Sequence, residues 1–353
     1  MNSISKFYNN KKILVTGATG FKGSWLCAWL VNLGAKVYAT GYNPNQNDNL
    51  FQSLNFSKKI KIKIFDLREI EKLDLFVKKT KPQIIFHLAA QSLVIKSYKK
   101  PHFTFDINFR GTLNILETAR KYNFIKSVIC VTSDKCYENI GKIKKYKETD
   151  KLGGVDPYSA SKASAEILIK SYIECYFKKI NCGLSSVRAG NVIGGGDWSE
   201  NRLIPDCIKS ISNNKKITIR NPNFIRPWQH VLEPLNGYLI LAKKQFENPI
   251  KYSGAYNFGP GTRSFLTVKK IVKYITEFWG NGETILLNKY KLHESRNLQL
   301  DSSKAKKILK WKILYSAKKS VQITTEWYLE VINKKKNPKD ITNSQIQNYM
   351  KKL

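Results

Sequence analysis

The sequence predicts an α/β fold, a doubly wound parallel sheet with a smaller C-terminal substrate-binding part. Two observations carry that reading. Through the first half of the chain, β-branched apolar runs alternate with segments of helical periodicity; after about residue 195 the pattern breaks into short elements punctuated by Gly and Pro. A chain of 353 residues with 42% apolar and 12% aromatic content can also bury a large core.

The stretch KKILVTGATGFKGSWLCAWLVNLGAKVYATGY, residues 11–42, reads as a strand, a glycine turn, a helix ending near Gly34 and a second strand. Further strands are expected in KIKIFDL, PQIIFHLAA, SVICVTS and NCGLSSVRAG. FDINFRGTLNILETARKY and SASKASAEILIKSYIECYF have helical spacing between them. Such a sheet binds its ligands at the carboxyl ends of its strands. Beyond residue 195, GGGDWSENRLIPD, IRNPNFIRPWQHVLEP, YNFGPGTRSF and LNKYKLHESRNLQLD suit a substrate-binding part beside the sheet, either interleaved with it or separate.

The opening MNSISKFYNNKK reads as a polar leader without the basic, apolar and small-residue succession of a signal peptide. No apolar run approaches the roughly 20 residues that span a bilayer. Six cysteines, at 27, 130, 136, 175, 182 and 207, form no C-x-x-C pair. We therefore expect reduced thiols in a cytoplasmic protein, with neither a disulfide framework nor a metal site.

The formal charge of +35 raises nucleic-acid binding. Its distribution argues the other way, because the lysines are spread along the chain and accompany Ile and Asn in place of clustered Arg. Neither a nucleic acid nor a membrane is expected as partner. An anionic small substrate would still be drawn by the surface field.

Gly17, Gly20 and Gly23 lie in GATGFKG, directly after one strand and directly before a helix. Missing side chains let backbone approach a pyrophosphate, and the helix N-terminus offers free amides. An ordinary strand-to-helix turn rarely needs three glycines in this context. The end of the second strand offers Gly41, Tyr42 and Asn43, with neither a carboxylate for a ribose hydroxyl nor an Arg for a ribose phosphate. NAD is the expected cofactor. Asp66 is either a partner of the adenine or a helix N-cap.

Tyr158 and Lys162, in PYSASKASAE, are spaced i and i+4 and share a helix face. An ammonium beside a phenol lowers its pKa, so the phenolate can take a proton from a sugar hydroxyl while hydride leaves the same carbon. Ser133 adds a hydroxyl at a strand end. Asp134 and Lys135 follow it, and strand alternation forbids both from entering one pocket unless the chain leaves the strand at or just after Ser133. Thr132 reads as a strand residue. From spacing alone, the Asp-Lys pair is equally an exposed ion pair on a loop.

Gly17-x-x-Gly20-x-x-Gly23, HLAAQ at 87–91, Ser133 and the Tyr158/Lys162 pair resemble the extended short-chain dehydrogenase/reductase family over nearly the whole chain. TSDK, VRAGNVIGGGDW, RLIPD and IRPWQHVLEPL are similar to its CDP-glucose 4,6-dehydratase branch. The resemblance implies a Rossmann-like NAD-binding unit over 1–190 that carries the catalytic residues and a mainly nucleotide-sugar-binding region over 191–335, while the polar residues 336–353 read as a frayed helix or tail. It implies cofactor contacts from Gly17, Gly20, Phe21, Lys22, Gly23, Asp66, Leu67, Leu88, Ala89, Ala90, Gln91 and Asn108, besides Tyr158 and Lys162.

It also implies chemistry: oxidation at sugar carbon 4, loss of water across carbons 5 and 6, and hydride return to carbon 6. Asp134 would be the acid at the leaving hydroxyl and Lys135 the base at carbon 5, where related dTDP-glucose dehydratases use a glutamate. A lysine base must be neutral, through desolvation, neighbouring positive charge or proton sharing with Asp134. Asn191 and the glycines 194 to 196 match the diphosphate position. Arg202 and Arg226 can pair with diphosphate oxygens. Leu203, Trp228 and His230 are candidates near the base or ribose, and each single residue is otherwise a loop anchor. His293 and Glu294 are further candidates.

Two other functions remain open at this stage. A nucleotide-sugar 4-epimerase shares NAD, Ser133, Tyr158 and Lys162 but needs no acid-base pair for elimination. A nucleic-acid-binding or NAD-sensing regulator would explain the charge, though the intact Ser/Tyr/Lys set speaks against it. Relatives commonly pair through two long helices, here 111–122 and 159–176, so a homodimer is expected.

Overall fold

The computed structural model describes residues 3–42, 49–56, 59–141, 144–286 and 298–353. Seven parallel strands form the central sheet: β1 (Lys12–Thr16), β2 (Lys36–Gly41), β3 (Ile60–Ile64), β4 (Ile84–His87), β5 (Ser127–Val131), β6 (Gly183–Arg188) and β7 (Gly254–Asn257). Their order is β7-β6-β5-β4-β1-β2-β3. The chain reverses direction across the sheet between β1 and β4, where Thr16 stands beside His87. That switch point opens the crevice.

Apart from the edge strand β3, exposed over Lys61–Ile64, both faces of the sheet are buried, as a parallel sheet requires. Ile13, Val15, Phe86 and Ile129 enter one core, while Leu14, Ile85, Val128 and Leu184 enter the other, the period of two expected of strands. The first core packs α1 (Phe21–Asn32), whose Trp25 and Trp29 are fully buried, and α5 (Leu232–Glu247). The second packs α2 (Ile70–Thr80), α3 (Gly111–Lys121) and α4 (Pro157–Tyr172).

The boundary expected near residue 190 is not architectural. Strand β7 comes from the C-terminal region yet pairs with β6, from Gly254 opposite Ser185 to Asn257 opposite Arg188. Helix α5 also covers the sheet, so residues beyond 190 interleave with those before it. The expected tail is likewise packed: Pro338–Met350 is a helix with Thr342, Ile346 and Tyr349 buried. Tyr349 donates to Glu233 at 3.0 Å and meets Trp29 edge to face. A few large side chains on one helix face outweigh a polar average. The opening segment is ordered in the same way, because Ser3–Tyr8 is a helix whose buried Tyr8 donates to the Leu239 carbonyl at 2.7 Å.

Candidate active site

A cleft of about 880 Å³ runs along the carboxyl ends of β1, β4, β5 and β6. It continues into a second chamber of about 530 Å³, with Lys135, Arg202 and Leu203 lining both.

The glycine loop forms one wall. Gly17 has φ +68°, and a Cβ there would lie 2.5 Å from the Ala89 amide nitrogen. A Cβ at Gly23 would lie 2.1 Å from the Gly17 carbonyl. Neither residue admits a side chain. Gly20 caps α1 without a side-chain hydrogen bond, leaving first-turn amides for a ligand. Phe21, Lys22, Asp66, Leu67, Leu88, Ala89, Ala90 and Gln91 line the same cleft.

Asp66 is not the N-cap of α2; Glu69 holds that place. The Asp66 carboxylate instead accepts from the Arg68 amide at 2.9 Å and its guanidinium at 2.7 Å. Those hydrogen bonds hold it below the usual carboxylate range. Asn108 does not line the cleft. It is buried, accepts from the Gln91 amide at 2.8 Å and donates to the Gln91 carbonyl at 3.0 Å and Ser161 at 2.9 Å. It therefore ties the 88–91 loop to α4, a supporting position that the sequence expectation had put in contact with the cofactor.

The catalytic candidates converge. Strand β5 ends at Val131, Ser133 is extended with φ −161°, and Asp134–Cys136 form a 3₁₀ turn. The chain thus leaves the strand where two neighbouring side chains need it to. Ser133 donates to Asp134 Oδ1 at 3.0 Å and accepts from the Lys135 amide at 3.2 Å. Helix α4 starts at Pro157 with Asp156 as its cap, accepting from Ser159 N at 3.0 Å, so Tyr158 falls in the first turn. One turn on, Lys162 Nζ donates to the Val131 carbonyl at 3.1 Å, which joins the helix to the strand end.

Burial sets the electrostatics. It pushes the Tyr158 phenol up to about 12, against a hydrogen bond with Ser133, and the Lys162 ammonium down to about 8. Lys22 is lowered to about 8 by burial and by Arg202, with Asp134 opposing. The Asp134 carboxyl is raised by burial, although Lys135, Ser133, Lys22 and Arg226 favour its charged form. A carboxyl held toward its neutral form can donate a proton.

A network missed by sequence reasoning braces this arrangement. Glu166, buried on α4, accepts from Thr132 Oγ1 at 2.5 Å, Ser186 Oγ at 2.6 Å, and Arg188 Nε and Nη2 at 2.9 and 2.6 Å. Thr132 lies just past β5 and lines the cleft. The available signal was spacing: Glu166 continues the series Tyr158, Lys162 at i+4, and Arg188 ends a strand that is otherwise uncharged.

Toward the second chamber, Asn191, Arg202, Leu203, Arg226 and Trp228 all line the cleft. Arg202 is held by Asp197 at 2.8 Å and Ser92 at 3.2 Å. Trp228 donates to the Leu266 carbonyl at 3.0 Å. His230 is elsewhere. It is fully buried, meets Trp25 and Tyr315 edge to face, and burial pushes its imidazole down to about 3. It is a neutral core residue, not a nucleotide contact. Gly194 lines the cleft, but a Cβ at Gly195 would meet Trp327 at 2.0 Å and one at Gly196 would meet Leu50 at 2.6 Å. Those two glycines serve packing. His293 and Glu294 lie outside the described residues.

A family model for GDP-mannose 4,6 dehydratase matches residues 14–324. The chain is 42% identical, over 91% of its length and 91% of the relative's, to a CDP-glucose 4,6-dehydratase of Salmonella typhimurium. Among solved structures it resembles a UDP-glucose 4-epimerase of Thermotoga maritima with UDP-glucose, with TM-score 0.79 and 23% identity over 91% of this chain and 99% of that one. It also resembles a dTDP-glucose 4,6-dehydratase of Bacillus anthracis in complex with NAD, with TM-score 0.76 and 24% identity over 91% and 97% of the two chains. At these identities the structural likeness speaks for the fold. With a family model covering most of its length and so close a relative across nine-tenths of it, the chain belongs to the GDP-mannose 4,6 dehydratase family.

Proposed function

We propose that the protein is an NAD-dependent CDP-glucose 4,6-dehydratase, making a 4-keto-6-deoxy sugar nucleotide and water. The observation that carries this is the convergence of Ser133, Asp134 and Lys135 with Tyr158 and Lys162 in one cleft. NAD fits the glycine wall, where Gly17 and Gly23 let the loop close tightly on the 88–89 backbone and on itself, and the α1 N-terminus lacks a side-chain cap. Gly41 and the exposed Tyr42 end β2 without a charge, in keeping with NAD over NADP.

Bound NAD would supply the hydride acceptor for carbon 4 and the hydride donor for carbon 6. Ser133 orients the 4-oxygen, and Tyr158 takes the hydroxyl proton as the phenolate, a form that burial alone disfavours and that the positive nicotinamide and Lys162, one helical turn on, would favour. The resulting ketone acidifies carbon 5. Lys135 removes that proton, and Asp134 protonates the departing 6-hydroxyl. Asn191, Arg202 and Arg226 hold the diphosphate, with Leu203 and Trp228 flanking the nucleoside.

Asp134 and Lys135 also set this reading apart from epimerisation, which needs no proton delivered to a 6-hydroxyl. We further propose a homodimer through α3 and α4 with its π-helical continuation Ile173–Phe177, favoured by apolar exposure at Ile167 (61%) on α4 and Tyr176 (42%) on that continuation. Six free cysteines, five of them buried, suit a reducing cytoplasm, and the product suits deoxysugar supply for surface polysaccharide such as O-antigen.

The test is turnover across CDP-, dTDP-, GDP- and UDP-glucose. The CDP sugar should give the 4-keto-6-deoxy product, with solvent deuterium at carbon 5 and no net cofactor reduction. Lys135→Met should stop elimination while nucleotide-sugar binding stays within about threefold. An epimerised sugar as sole product would refute the proposal.

A further inference from the structure

The seat of the Asp134 carboxylate depends on a residue outside the acid-base set. A Cβ on residue 190 would lie 2.7 Å from Asp134 Oδ2, 3.4 Å from its carboxyl carbon and 3.1 Å from Pro227 Cγ. Gly190 is not among the described glycines with positive φ, so its backbone makes no demand for glycine. Space does. Neither neighbour can withdraw freely. Asp134 begins a 3₁₀ turn and its Oδ1 accepts from Ser133 at 3.0 Å, while Pro227 belongs to a strand, Ile225–Pro227, paired with Phe265–Thr267.

Ser133 occupies Oδ1 as an acceptor, which leaves Oδ2 to carry the acidic proton, and Oδ2 is the oxygen against residue 190. We propose that Gly190 is a positioning residue for dehydration: its missing side chain sets where the Asp134 proton stands relative to the leaving hydroxyl. This rests on the reading of Asp134 as the acid. In the step concerned, the Oδ2 proton passes to the 6-oxygen as the bond from carbon 6 to oxygen breaks, and the carbon 5 proton passes to Lys135, so water leaves and charge balances. Oxidation at carbon 4 uses Ser133, Tyr158 and Lys162, and the nearest atoms to the added methyl belong to none of them.

To restore ordinary contact at 3.4 Å from 2.7 Å, Oδ2 must retreat by 0.7 Å. A misplacement of about 1 Å can cost about a hundredfold in rate. The experiment is single turnover of the NAD-loaded enzyme with CDP-glucose, following nicotinamide reduction and the appearance of 4-keto-6-deoxy product separately. Gly190→Ala should slow elimination by about a hundredfold and leave oxidation within about threefold, so that reduced cofactor accumulates.

Asp134→Asn is run beside it. Elimination intact in G190A but abolished in D134N would overturn the positioning role alone, whereas elimination intact in D134N would overturn the acid assignment and the proposal with it. An equal loss of both steps in G190A would also overturn it, as mere distortion. Should G190A fold poorly, G190A combined with Pro227→Ala removes the second clash. That double variant should fold and remain slow in elimination, and full recovery would assign the effect to Pro227 and refute the proposal.

Discussion

Replacing Glu166 with Gln tests whether the brace beneath the site is as stiff as its geometry implies. Its carboxylate and the Arg188 guanidinium have side-chain exposures of 2% and 3% and stand 2.6 Å apart. The substitution leaves a buried guanidinium whose remaining partners are Tyr137 Oη at 2.6 Å and the Glu148 carbonyl at 3.2 Å. Breaking one side of a buried ion pair costs about 3–5 kcal/mol, and an amide that still accepts from Thr132 or Ser186 belongs at the lower end, about 3 kcal/mol. Urea unfolding at fixed protein concentration should show that loss as a lower midpoint with an unchanged slope. Burial pushes the Glu166 carboxyl up, but Arg188 and the hydroxyl donors outweigh it and hold it below 4.5. A carboxyl depressed on folding stabilises fully above 4.5 and loses that contribution as pH falls through its folded value, so the gap between wild type and E166Q should narrow on acidification. A loss under about 1 kcal/mol at neutral pH would refute the brace.

Lys162→Met should abolish oxidation at carbon 4 yet stabilise the fold at neutral pH. The wild-type ammonium falls from 10.5 to about 8, so the unfolded state binds more protons between those values and stability rises with pH across that window. The difference between unfolding curves of wild type and K162M should shrink by up to about 3 kcal/mol from pH 8 to 10.5. Lys22 titrates in the same range and supplies the slope that K162M retains. His230→Leu should leave the KM for the nucleotide sugar within about twofold and alter stability by about 1–3 kcal/mol, since it fills a core site; a tenfold rise in KM would return it to the substrate cleft.

Much of the cleft's lining was legible in the sequence, because its signals are local. Gly23 is forced by a backbone that closes on Gly17 within seven residues, and Tyr158 and Lys162 are aligned by one helical turn, whereas the space at Gly17 is closed from farther off by Ala89. The expectation that the chain leaves β5 at or just after Ser133 followed from strand alternation alone; the strand ends at Val131, one residue short of Thr132, and extended backbone at Ser133 leads into the 3₁₀ turn at Asp134–Cys136. Where reasoning went astray, the deciding contact was distant in sequence. His230 sits in a motif beside cleft residues, yet its ring is turned into a core built by Trp25 and Tyr315. Gly195 was read as an anion-binding glycine, but Trp327, on a helix far along the chain, claims its space.

By itself, the sequence determined the strand and helix periods, the cofactor loop and the residue types able to exchange protons. These depend on near neighbours, whose geometry the backbone dictates. Only the tertiary structure decided that β7 completes the sheet from the C-terminal region, that Pro338–Met350 is anchored to Glu233, that Glu166 meets Arg188, and that Gly190 makes room for Asp134. Those outcomes arise where segments separated by tens to hundreds of residues must share one close-packed volume, and which atom yields there is settled by packing and desolvation across the whole chain.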